Sequence, residues 1–271
     1  MTEPSSPYSA LAHESASELF HEASKLRESD AVTARTVWSV NTSPAIKRVI
    51  ANPATSHRGF ASLPLPAQSR RPEFPLADVL LQRRSRRSFS GEPLALADLS
   101  ALLYYSAGVT RHETDQYGIT WGFRCTPSGG ALYPLDLYCV ALDVAGTEKG
   151  LHAYDPKAHA LEFLEAGSYQ EKLAAATYLT ETIHKAAAVL LMVANFPRTT
   201  FKYGERGYRF ALLEAGHIAQ NMLLVAESLG FGALPLGGYV DDQVNAMVGA
   251  DGCERAVVYA VVVGRLPPQS P

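Results

Sequence analysis

One long helical pattern constrains this fold more than any other feature of the chain. Residues Arg206–Leu229 carry apolar side chains nearly all round the helix that they predict, and Gly230 and Gly232 end it. A helix without a consistently polar side belongs in the middle of a protein, with other elements packed around it. One face still carries a polar stripe, made of Glu214, His217, Asn221 and Ser228. Buried polar side chains are normally hydrogen-bonded, so we expect this stripe to have partners inside the protein.

Apolar runs bounded by turn residues predict strands before and after that helix. The runs that predict buried strands are Leu135–Leu142, Ala187–Asn195 and Val257–Val263. Two shorter runs, Leu151–Tyr154 and Ala160–Leu164, predict a hairpin-like pair. Strands and helices are mixed without a strict βαβ repeat, which predicts an α+β fold rather than a doubly wound sheet.

Residues 1–73 differ in pattern from residues 74–271, which hold the elements described above. Ser15–Leu26 has apolar side chains at the spacing of an amphipathic helix. Val40–Ser69 is predicted to be irregular, because several prolines are spread among serines and alanines. We interpret residues 1–73 as a helix followed by an extended arm that wraps the main domain or a partner subunit.

Composition argues against several classes of function. The formal net charge is −3 and the pI is near 6.2, so no broad basic face for nucleic acid is expected. The longest apolar runs are about half of the roughly 20 residues that a membrane helix needs. Three cysteines without CxxC spacing fit a reducing cytoplasm, and the first residues do not resemble a secretory signal. No histidines or cysteines stand at the spacing of metal ligands, so no metal site is expected.

A cluster of arginines marks a candidate anion site. The segment Arg83–Arg87 crowds four positive charges and the Ser85 hydroxyl together at the end of a predicted helix. A phosphomonoester needs such a combination of guanidinium groups and neutral donors. The same pattern is also typical of a solvated basic helix end, which the helix dipole favours. The residues alone leave both interpretations open.

Two glycine-rich turns and a lysine–tyrosine pair are the other candidates. Gly129-Gly130 allows the backbone to approach a flat ligand, although a plain turn before the next strand is the commoner explanation. The turn Pro235–Gly238 is ambiguous in the same way. Lys202 beside Tyr203 indicates a proton-transfer pair in which the ammonium group lowers the pKa of the phenol. An exposed polar loop that enters the next helix is the simpler alternative.

Taken in order, these motifs resemble the nitroreductase-like flavoproteins, and among them the SagB-type dehydrogenases that oxidise azolines in peptide natural products. The resemblance covers about residues 75–267 and rests on RRSRRSF, PSGGALYPLDLY, KYGERGYRFALLEAGHIAQN, PLGGY and the final VVVGR. The segment FHEASKL at Phe20–Leu26 is similar to one that precedes the domain in the SagB type. The resemblance implies an antiparallel sheet between helices, a homodimer, and FMN bound at the dimer interface.

The resemblance also implies a role for each matched residue. Contacts to the phosphate, ribityl chain and pyrimidine edge of FMN are implied for Arg83, Arg84, Ser85 and Arg87, and a further phosphate contact for Gly264 and Arg265. The resemblance implies that one subunit places a segment along the flavin of its partner, and this segment is Pro127, Ser128, Gly129 and Gly130. The turn implied to lie near flavin N5 is Pro235, Leu236, Gly237 and Gly238. Lys202 and Tyr203 match the pair thought to act as base. Cys125 departs from the family, which more often has proline or alanine there, and we expect a buried inert thiol.

The activity implied is FMN-dependent oxidation of a thiazoline or oxazoline ring to the azole in a modified peptide. Tyr203, activated by Lys202, would take a proton while the flavin takes hydride, and Arg87 would stabilise the charge that develops on the flavin. The alternatives are an NAD(P)H-dependent nitro- or quinone reductase, a SagB-type oxidase of another natural product, and a non-catalytic flavoprotein. A cyclodehydratase of the same biosynthetic complex is the partner protein that the resemblance suggests.

Overall fold

The computed structural model describes residues 15–27, 31–51, 55, 57, 59–66 and 70–268 of the chain. Its strands are β1 (Ala61–Pro64), β2 (Leu94–Ala95), β3 (Val109–Thr114), β4 (Thr120–Arg124), β5 (Leu135–Ala141), β6 (Val144–Ala145), β7 (Gly150–Asp155), β8 (Ala160–Ala166), β9 (Ala188–Asn195), β10 (Gly232–Leu236) and β11 (Arg255–Gly264). Its helices are α1 (Ala16–Ala23), α2 (Ala31–Thr42), α3 (Pro44–Ile50), α4 (Leu76–Gln82), α5 (Leu96–Ala107), α6 (Gln170–Thr177), α7 (Thr180–His184), α8 (Pro197–Tyr203), α9 (Glu205–Leu229) and α10 (Asp241–Met247). Seven strands form one antiparallel sheet in the order β1-β8-β7-β5-β9-β11-β10, which confirms the predicted α+β class.

Both faces of this sheet are covered, which explains why its central strands read as continuous apolar runs. In β9, Leu190 and Met192 pack in a core with α5 and α9. Leu191 and Val193 belong to the core on the opposite face, with α6, α7 and α10. A strand that is buried on both sides has no polar face, so its sequence shows no alternation.

Helix α9 confirms the predicted central helix but not its burial on every side. It begins after Gly204 and ends at Gly230, whose φ of 80° gives the left-handed cap. The face toward the sheet is buried, whereas Leu212 and Leu213 are 40% and 59% exposed. Gly216 is also exposed, and within the described ranges no atom lies within 4 Å of the position that a Cβ would take there. No helix in the described part of the chain is long and apolar enough to cross a membrane.

The prediction that Val40–Ser69 is irregular is wrong for much of that range. Pro44 is the first residue of α3, where its missing N–H costs nothing and the Ser43 side chain caps the helix. Pro64 ends β1, which pairs with β8 at the edge of the sheet, a place that tolerates proline. Pro44 and Pro64 therefore mark the ends of elements rather than a lack of structure. Positions 52–54, 56, 58 and 67–69 of that range lie outside the described residues.

The direction of the strands defines two ends of the molecule. At the arginine end, β9 and β10 begin and β11 finishes, beside the loop Arg83–Ser90. At the tyrosine end, β9 finishes and β5 and β11 begin, beside Lys202 and Tyr203 of α8. Helix α9 runs from the tyrosine end to the arginine end across one face of the sheet. The predicted site residues fall mainly at these two ends.

Candidate functional site

At the arginine end, backbone hydrogen bonds hold the loop Arg83–Ser90 against the sheet. The amide of Arg86 donates to the Ala233 carbonyl at 3.0 Å, and the amide of Ser90 donates to the Arg265 carbonyl at 2.9 Å. The loop therefore lies beside β10 and beside the residue that follows β11. The structure thus brings together three sequence motifs that are far apart in the chain.

Phe89 fixes the end of this loop. Its side chain is 2% exposed and lies under Gly232 and Gly264. A Cβ on Gly264 would come within 2.9 Å of the Phe89 ring, and one on Gly232 within 2.8 Å. These two glycines are therefore required by the packing of an aromatic side chain that holds the arginines in place.

The arginines of the loop differ in what they already contact. The side chains of Arg83 and Arg87 form no hydrogen bond or ion pair with any residue that the structure describes. Arg84 donates from Nη1 to backbone carbonyl oxygens at its own end of α4, and Arg86 Nη2 lies 3.7 Å from Glu227 Oε1. Two guanidinium groups are therefore left with positive charge that no described carboxylate offsets.

Arg265 shares a buried carboxylate with Arg70. Asp98 is 1% exposed, with Oδ1 at 2.6 Å from Arg70 Nη1 and Oδ2 at 3.8 Å from Arg265 Nη1. Because Arg70 makes the shorter contact, Arg265 is only loosely held and its side chain is 45% exposed. The half-buried Ser85 hydroxyl has no hydrogen-bond partner within the described ranges. Both residues are thus free to contact a ligand at this end.

The turn Pro235–Gly238 lies between the two ends. Leu236 pairs with Ala260, about midway along β11. A Cβ on Gly237 would lie 3.5 Å from the Tyr259 ring, whereas no atom of a described residue lies within 4 Å of the place where a Cβ of Gly238 would be. The turn therefore has an open side, where a flat ligand can approach the backbone.

At the tyrosine end, the segment Pro127–Gly130 leads into a tight 3₁₀ turn at Gly129–Ala131. Gly130 has a φ of 66°, a left-handed conformation that favours glycine. A Cβ on Gly130 would clash with the Tyr203 hydroxyl and would lie 3.0 Å from Lys202 Nζ. The structure thus places both predicted catalytic side chains directly against the glycine turn of the same protomer.

Lys202 is buried at the end of α8, with 5% of its surface exposed. Its Nζ donates to Asn41 Oδ1 at 2.9 Å and lies 5.2 Å from the centre of the Tyr203 ring. Burial lowers the pKa of Lys202 and raises the pKa of Tyr203. This direction is opposite to the expected lowering of the tyrosine pKa by the lysine, because desolvation disfavours the charged phenolate. The alternative of an exposed polar loop is wrong, since Lys202 is helical and buried.

A buried carboxyl group near the same turn contradicts the expectation for the polar stripe of α9. Glu214 is 3% exposed, and neither of its carboxylate oxygens has a hydrogen-bond partner among the described residues. Burial raises its pKa to about 7, although the nearby Ser128 hydroxyl and the guanidinium groups of Arg124 and Arg198 oppose the rise. Asn221 does have a partner, since it donates to a threonine hydroxyl at 3.2 Å. The stripe therefore includes a carboxyl group that can change its charge near neutral pH.

Asn41 is the site residue that the sequence did not indicate. It lies in α2, in the part of the chain to which we assigned no chemistry, and 161 positions separate it from Lys202. A groove of about 480 Å³ between this part of the chain and the start of α9 opens onto Tyr203. No local pattern signals a side-chain contact over such a separation.

Two smaller expectations concern cysteine and metal chemistry. Burial raises the pKa of the Cys125 thiol, which fits the expected inert thiol. Within the described ranges, no three histidine, cysteine, aspartate or glutamate side chains are grouped as they would be around a metal ion.

The two ends are well separated within one protomer. Strand β9 rises roughly 23 Å from its first to its last residue, at about 3.3 Å per residue. Helix α9 gives a second measure, because Glu227 contacts Arg86 at the arginine end and lies roughly 33 Å along the helix from Glu205. The lysine–tyrosine pair is therefore not beside the arginine loop of its own protomer.

Known proteins match most of this architecture. The sequence model of the Nitroreductase family matches residues 80–265. MJ1384 of Methanocaldococcus jannaschii, which is named as a nitroreductase, is 38% identical over 176 residues, which are 65% of this chain and 85% of that protein. The microcin B17-processing protein McbC of Escherichia coli is 33% identical over 146 residues, which are 51% of this chain. The matched region spans about half of McbC, 52% of its length.

Solved structures agree with the sequence comparisons. A crystal structure from Anabaena variabilis, described as a nitroreductase, has a TM-score of 0.65 at 26% identity and covers 78% of this chain and 42% of that chain. A chain of the E. coli microcin synthetase McbBCD complex with truncated pro-MccB17 bound has a TM-score of 0.57 at 24% identity, and covers 92% of this chain and 86% of that chain. At that identity the second likeness shows the fold alone. The predictions of a nitroreductase-like fold and of an oxidoreductase are confirmed, and the chain belongs to the Nitroreductase family.

Proposed function

We propose that this protein oxidises thiazoline or oxazoline rings of a modified peptide to the aromatic azoles, with FMN as its cofactor. The observation that carries this proposal is the convergence of the buried Lys202 Nζ and the half-buried Tyr203 Oη on the exposed Gly130, an arrangement that suits proton transfer with a ligand at the turn. McbC, a relative named for the processing of microcin B17, supports a role in the maturation of a peptide product.

The arginine end suits the phosphate group of FMN. Among the described residues, the guanidinium groups of Arg83 and Arg87 and the hydroxyl of Ser85 have no partner, and together they are the combination that a phosphomonoester needs. Open space at Gly238 suits the flat ring. We therefore propose that the phosphate and ribityl chain are held by Arg83, Arg84, Ser85, Arg87, Gly264 and Arg265, and the ring by Pro235, Leu236, Gly237 and Gly238.

The residues of the tyrosine end suit the proton that the oxidation releases. When bound, FMN would accept a hydride from one carbon of the azoline ring. The neighbouring carbon then loses a proton, and Lys202 suits the role of base because burial lowers its pKa. Tyr203, whose pKa burial raises, stays protonated and can orient the ring by donating a hydrogen bond. The ring loses one hydride and one proton in total, and oxygen or another acceptor reoxidises the cofactor.

This assignment exchanges the roles that the resemblance implied for the pair. The resemblance gave Tyr203 as the base and Lys202 as the group that activates it. The directions of the two pKa shifts favour the reverse, because a lysine with a lowered pKa is more often in its neutral, proton-accepting form. The two assignments can be distinguished by replacing Lys202 and Tyr203 separately and measuring how the rate of oxidation of each variant depends on pH. The variant that lacks the base should lose the rise of the rate with pH.

We further propose that a second copy of the chain completes the site. One protomer separates its arginine end from its lysine–tyrosine pair by roughly 23 to 33 Å, so Pro127–Gly130 and the pair of a second copy can cover a flavin held at the first. Helix α9 exposes Leu212 and Leu213 beside Gly216, where the missing side chain allows another helix to approach closely. Sedimentation should give a dimer, and a monomer that keeps all of its FMN at micromolar concentration would contradict this.

A partner protein is part of the same proposal. The E. coli chain with the similar fold was solved within the McbBCD complex. We propose that residues 1–73 form an arm on a main domain of residues 74–271, and that a cyclodehydratase delivers the azoline peptide to it. Co-purification of the two proteins, with and without substrate, tests the association.

A reductase of nitro groups or quinones is the second candidate function. It is favoured by the 38% identity to MJ1384. Such an enzyme would reduce its flavin rapidly with NADH or NADPH. It would also tolerate replacement of Lys202 and Tyr203, because hydride transfer from a nicotinamide requires no proton removal from carbon.

Mass spectrometry separates the two candidates. The purified protein, loaded with FMN, is incubated in air with peptides that carry a thiazoline or an oxazoline. We expect the loss of two hydrogens for each ring converted. Unchanged masses for both ring types, together with fast flavin reduction by NADPH, would reject the azoline function in favour of the reductase.

A further inference from the structure

A helix of the N-terminal arm reaches the lysine–tyrosine pair. Asn41 of α2 lies 2.9 Å from Lys202 Nζ through its side-chain Oδ1. An ammonium group only donates hydrogen bonds, so the amide of Asn41 must present its oxygen to the lysine. The contact joins the arm directly to the group that we propose as the base.

Further contacts hold the arm at this place. Phe20 of α1 packs edge-to-face on Tyr208, with ring centres 5.2 Å apart. Arg209 Nε donates to the Ser24 hydroxyl at 2.7 Å. Together with the contact of Lys202, these interactions fall on the short segment that ends α8 and begins α9. The arm therefore fixes the segment that carries the lysine–tyrosine pair.

The amide of Asn41 satisfies Lys202 without adding a charge. The other groups that face Nζ are the Tyr203 ring on α8 and Gly130 of the 3₁₀ turn. On α9, Arg209 is directed to the arm, and the groups that act on Glu214 do not include the lysine. Desolvation is therefore the influence that displaces the pKa of Lys202. A carboxylate in place of the amide would hold the ammonium form and oppose that displacement.

We propose that Asn41 is a positioning residue, which holds the Lys202 amine against Gly130 and Tyr203 through a neutral hydrogen bond. It acts through Lys202, and it makes the arm a part of the site. This inference rests on the proposed function and names a further residue that the function requires. The neutral acceptor lets the amine release its proton more readily than a charged acceptor would.

Two substitutions of Asn41 with opposite electrostatic effects test this. Asn41→Asp keeps the size but adds a negative charge, which should raise the pKa of Lys202 by about 1, the lower end of the range for a neighbouring charge because Asn41 is exposed. Asn41→Leu removes the acceptor and should lower the pKa of Lys202 further. The measurement is an NMR titration of 13C-labelled lysine side chains in the FMN-loaded protein. The signal of Lys202 is assigned by its loss in Lys202→Arg, and no substrate is needed.

The pH dependence of the reaction supplies a second readout. Anaerobic bleaching of the flavin by an azoline peptide should rise with pH as Lys202 loses its proton. The midpoint of that rise should move up by about 1 in Asn41→Asp and down in Asn41→Leu. Below the midpoint, Asn41→Asp should react about 10-fold more slowly than the wild type. A purely structural defect would slow both variants without moving the midpoint in opposite directions.

Ser39→Asp is the matched control. Ser39 is an exposed residue of the same helix, two positions from Asn41 and so on nearly the opposite side of it. It receives the same charge and should leave the Lys202 titration unchanged. An unshifted titration in Asn41→Asp, or a shift of equal size in Ser39→Asp, would overturn the proposal. If the titration shifts as expected but the wild type oxidises no azoline peptide, the contact is supported and the proposed function is rejected.

Discussion

The two ends of the sheet hold their charged groups in opposite ways. At the arginine end, Arg83 and Arg87 carry permanent charges outside the core, and the buried Phe89 secures the loop that bears them. At the tyrosine end, Lys202 and Glu214 are themselves buried, and desolvation moves the pKa of each toward neutral pH. The first arrangement suits the binding of an anion, and the second suits the exchange of protons.

This difference separates two experimental variables. A guanidinium group keeps its charge over the whole range in which proteins are stable, so the arginine end should respond mainly to salt and to competing phosphate. The buried groups of the tyrosine end should instead govern how activity and stability depend on pH. Each substitution below should therefore change one of these behaviours and leave the other as it is.

Removing the lysine should have the largest effect. In Lys202→Ala the proposed base is gone, and azoline oxidation should fall by ~10²–10⁴-fold. Tyr203→Phe should also be slow, and the double variant should be little worse than the slower single one, because the pair acts as a unit. FMN content and flavin reduction by NADPH should stay at the wild-type level. Single-turnover rates with an azoline peptide measure this, and near-normal rates in Lys202→Ala would remove the pair from the mechanism.

Glu214→Gln should change the pH dependence of stability. The pKa of Glu214 is about 7 in the folded protein, whereas the ordinary value without burial is 4.5. Between pH 4.5 and pH 7, the folded state therefore binds a proton that the unfolded state has lost. The stabilisation from that proton is complete below pH 4.5 and is lost as the pH rises through about 7, an amount of about 3 kcal/mol. The glutamine variant has no such titration. As the pH rises over that window, the free energy of unfolding of the variant should therefore increase relative to that of the wild type. Urea unfolding at a series of pH values tests this, and parallel curves would contradict the assignment.

Arg83→Ala and Arg87→Ala should weaken FMN binding without changing proton chemistry. Each should cost ~1.5–3 kcal/mol, which is a rise in Kd of roughly 10- to 150-fold. The melting temperature of the FMN-free protein should hardly change, because neither side chain has a partner among the described residues. Arg111→Ala in β3 removes an equal charge from an exposed ion pair and is the control. Fluorescence titration with FMN gives the Kd, and equal losses in all three variants would indicate a general charge effect instead of a phosphate site.

The smallest effect is expected for Gly130→Ala, with Gly118→Ala as its control. Both glycines have a positive φ, 66° and 72°, so each alanine should cost ~1–2 kcal/mol of backbone strain. At Gly130 the new methyl group would meet Tyr203 and Lys202, whereas no atom in the described part of the chain lies within 4 Å of the Cβ position at Gly118. The two variants should therefore lose similar stability, while only Gly130→Ala should oxidise azolines more slowly, by a smaller factor than Lys202→Ala. Equal activity in both would mean that the pair does not depend on the turn.

Much of the fold could be predicted from the sequence because its signals are local. The apolar run of β9 and the pattern of α9 give nearly the correct boundaries. The prolines between Val40 and Ser69 misled the prediction, since Pro44 and Pro64 mark element ends that only their packing reveals. A local pattern predicts where a helix ends better than it predicts which elements pack against that helix.

The candidate site was harder to predict, because its chemistry depends on burial. The sequence placed Lys202 beside Tyr203 and so suggested that charge would control the pair. The structure shows that both side chains are desolvated, which reverses the expected direction for Tyr203. The contact of Lys202 with Asn41 joins residues 161 positions apart, and a single sequence contains no signal for it. The roles of the arginines remain predictions that FMN titration can test.

The position of β1 in the sheet has a consequence for the order in which the protein can fold during synthesis. Ala61 of β1 pairs with Phe163, and Asn41 accepts a hydrogen bond from Lys202. Both contacts can form only after these later residues have been synthesised. At about 5–20 residues per second, the arm leaves the ribosome roughly 5 to 30 s before these partners exist. During that time Phe20 of α1 lacks its later partner Tyr208, and Trp38 is still 68% exposed in the finished protein. The segment that we propose as part of the site is therefore made first, but it can be put in place only after residues 163 and 202 have been synthesised.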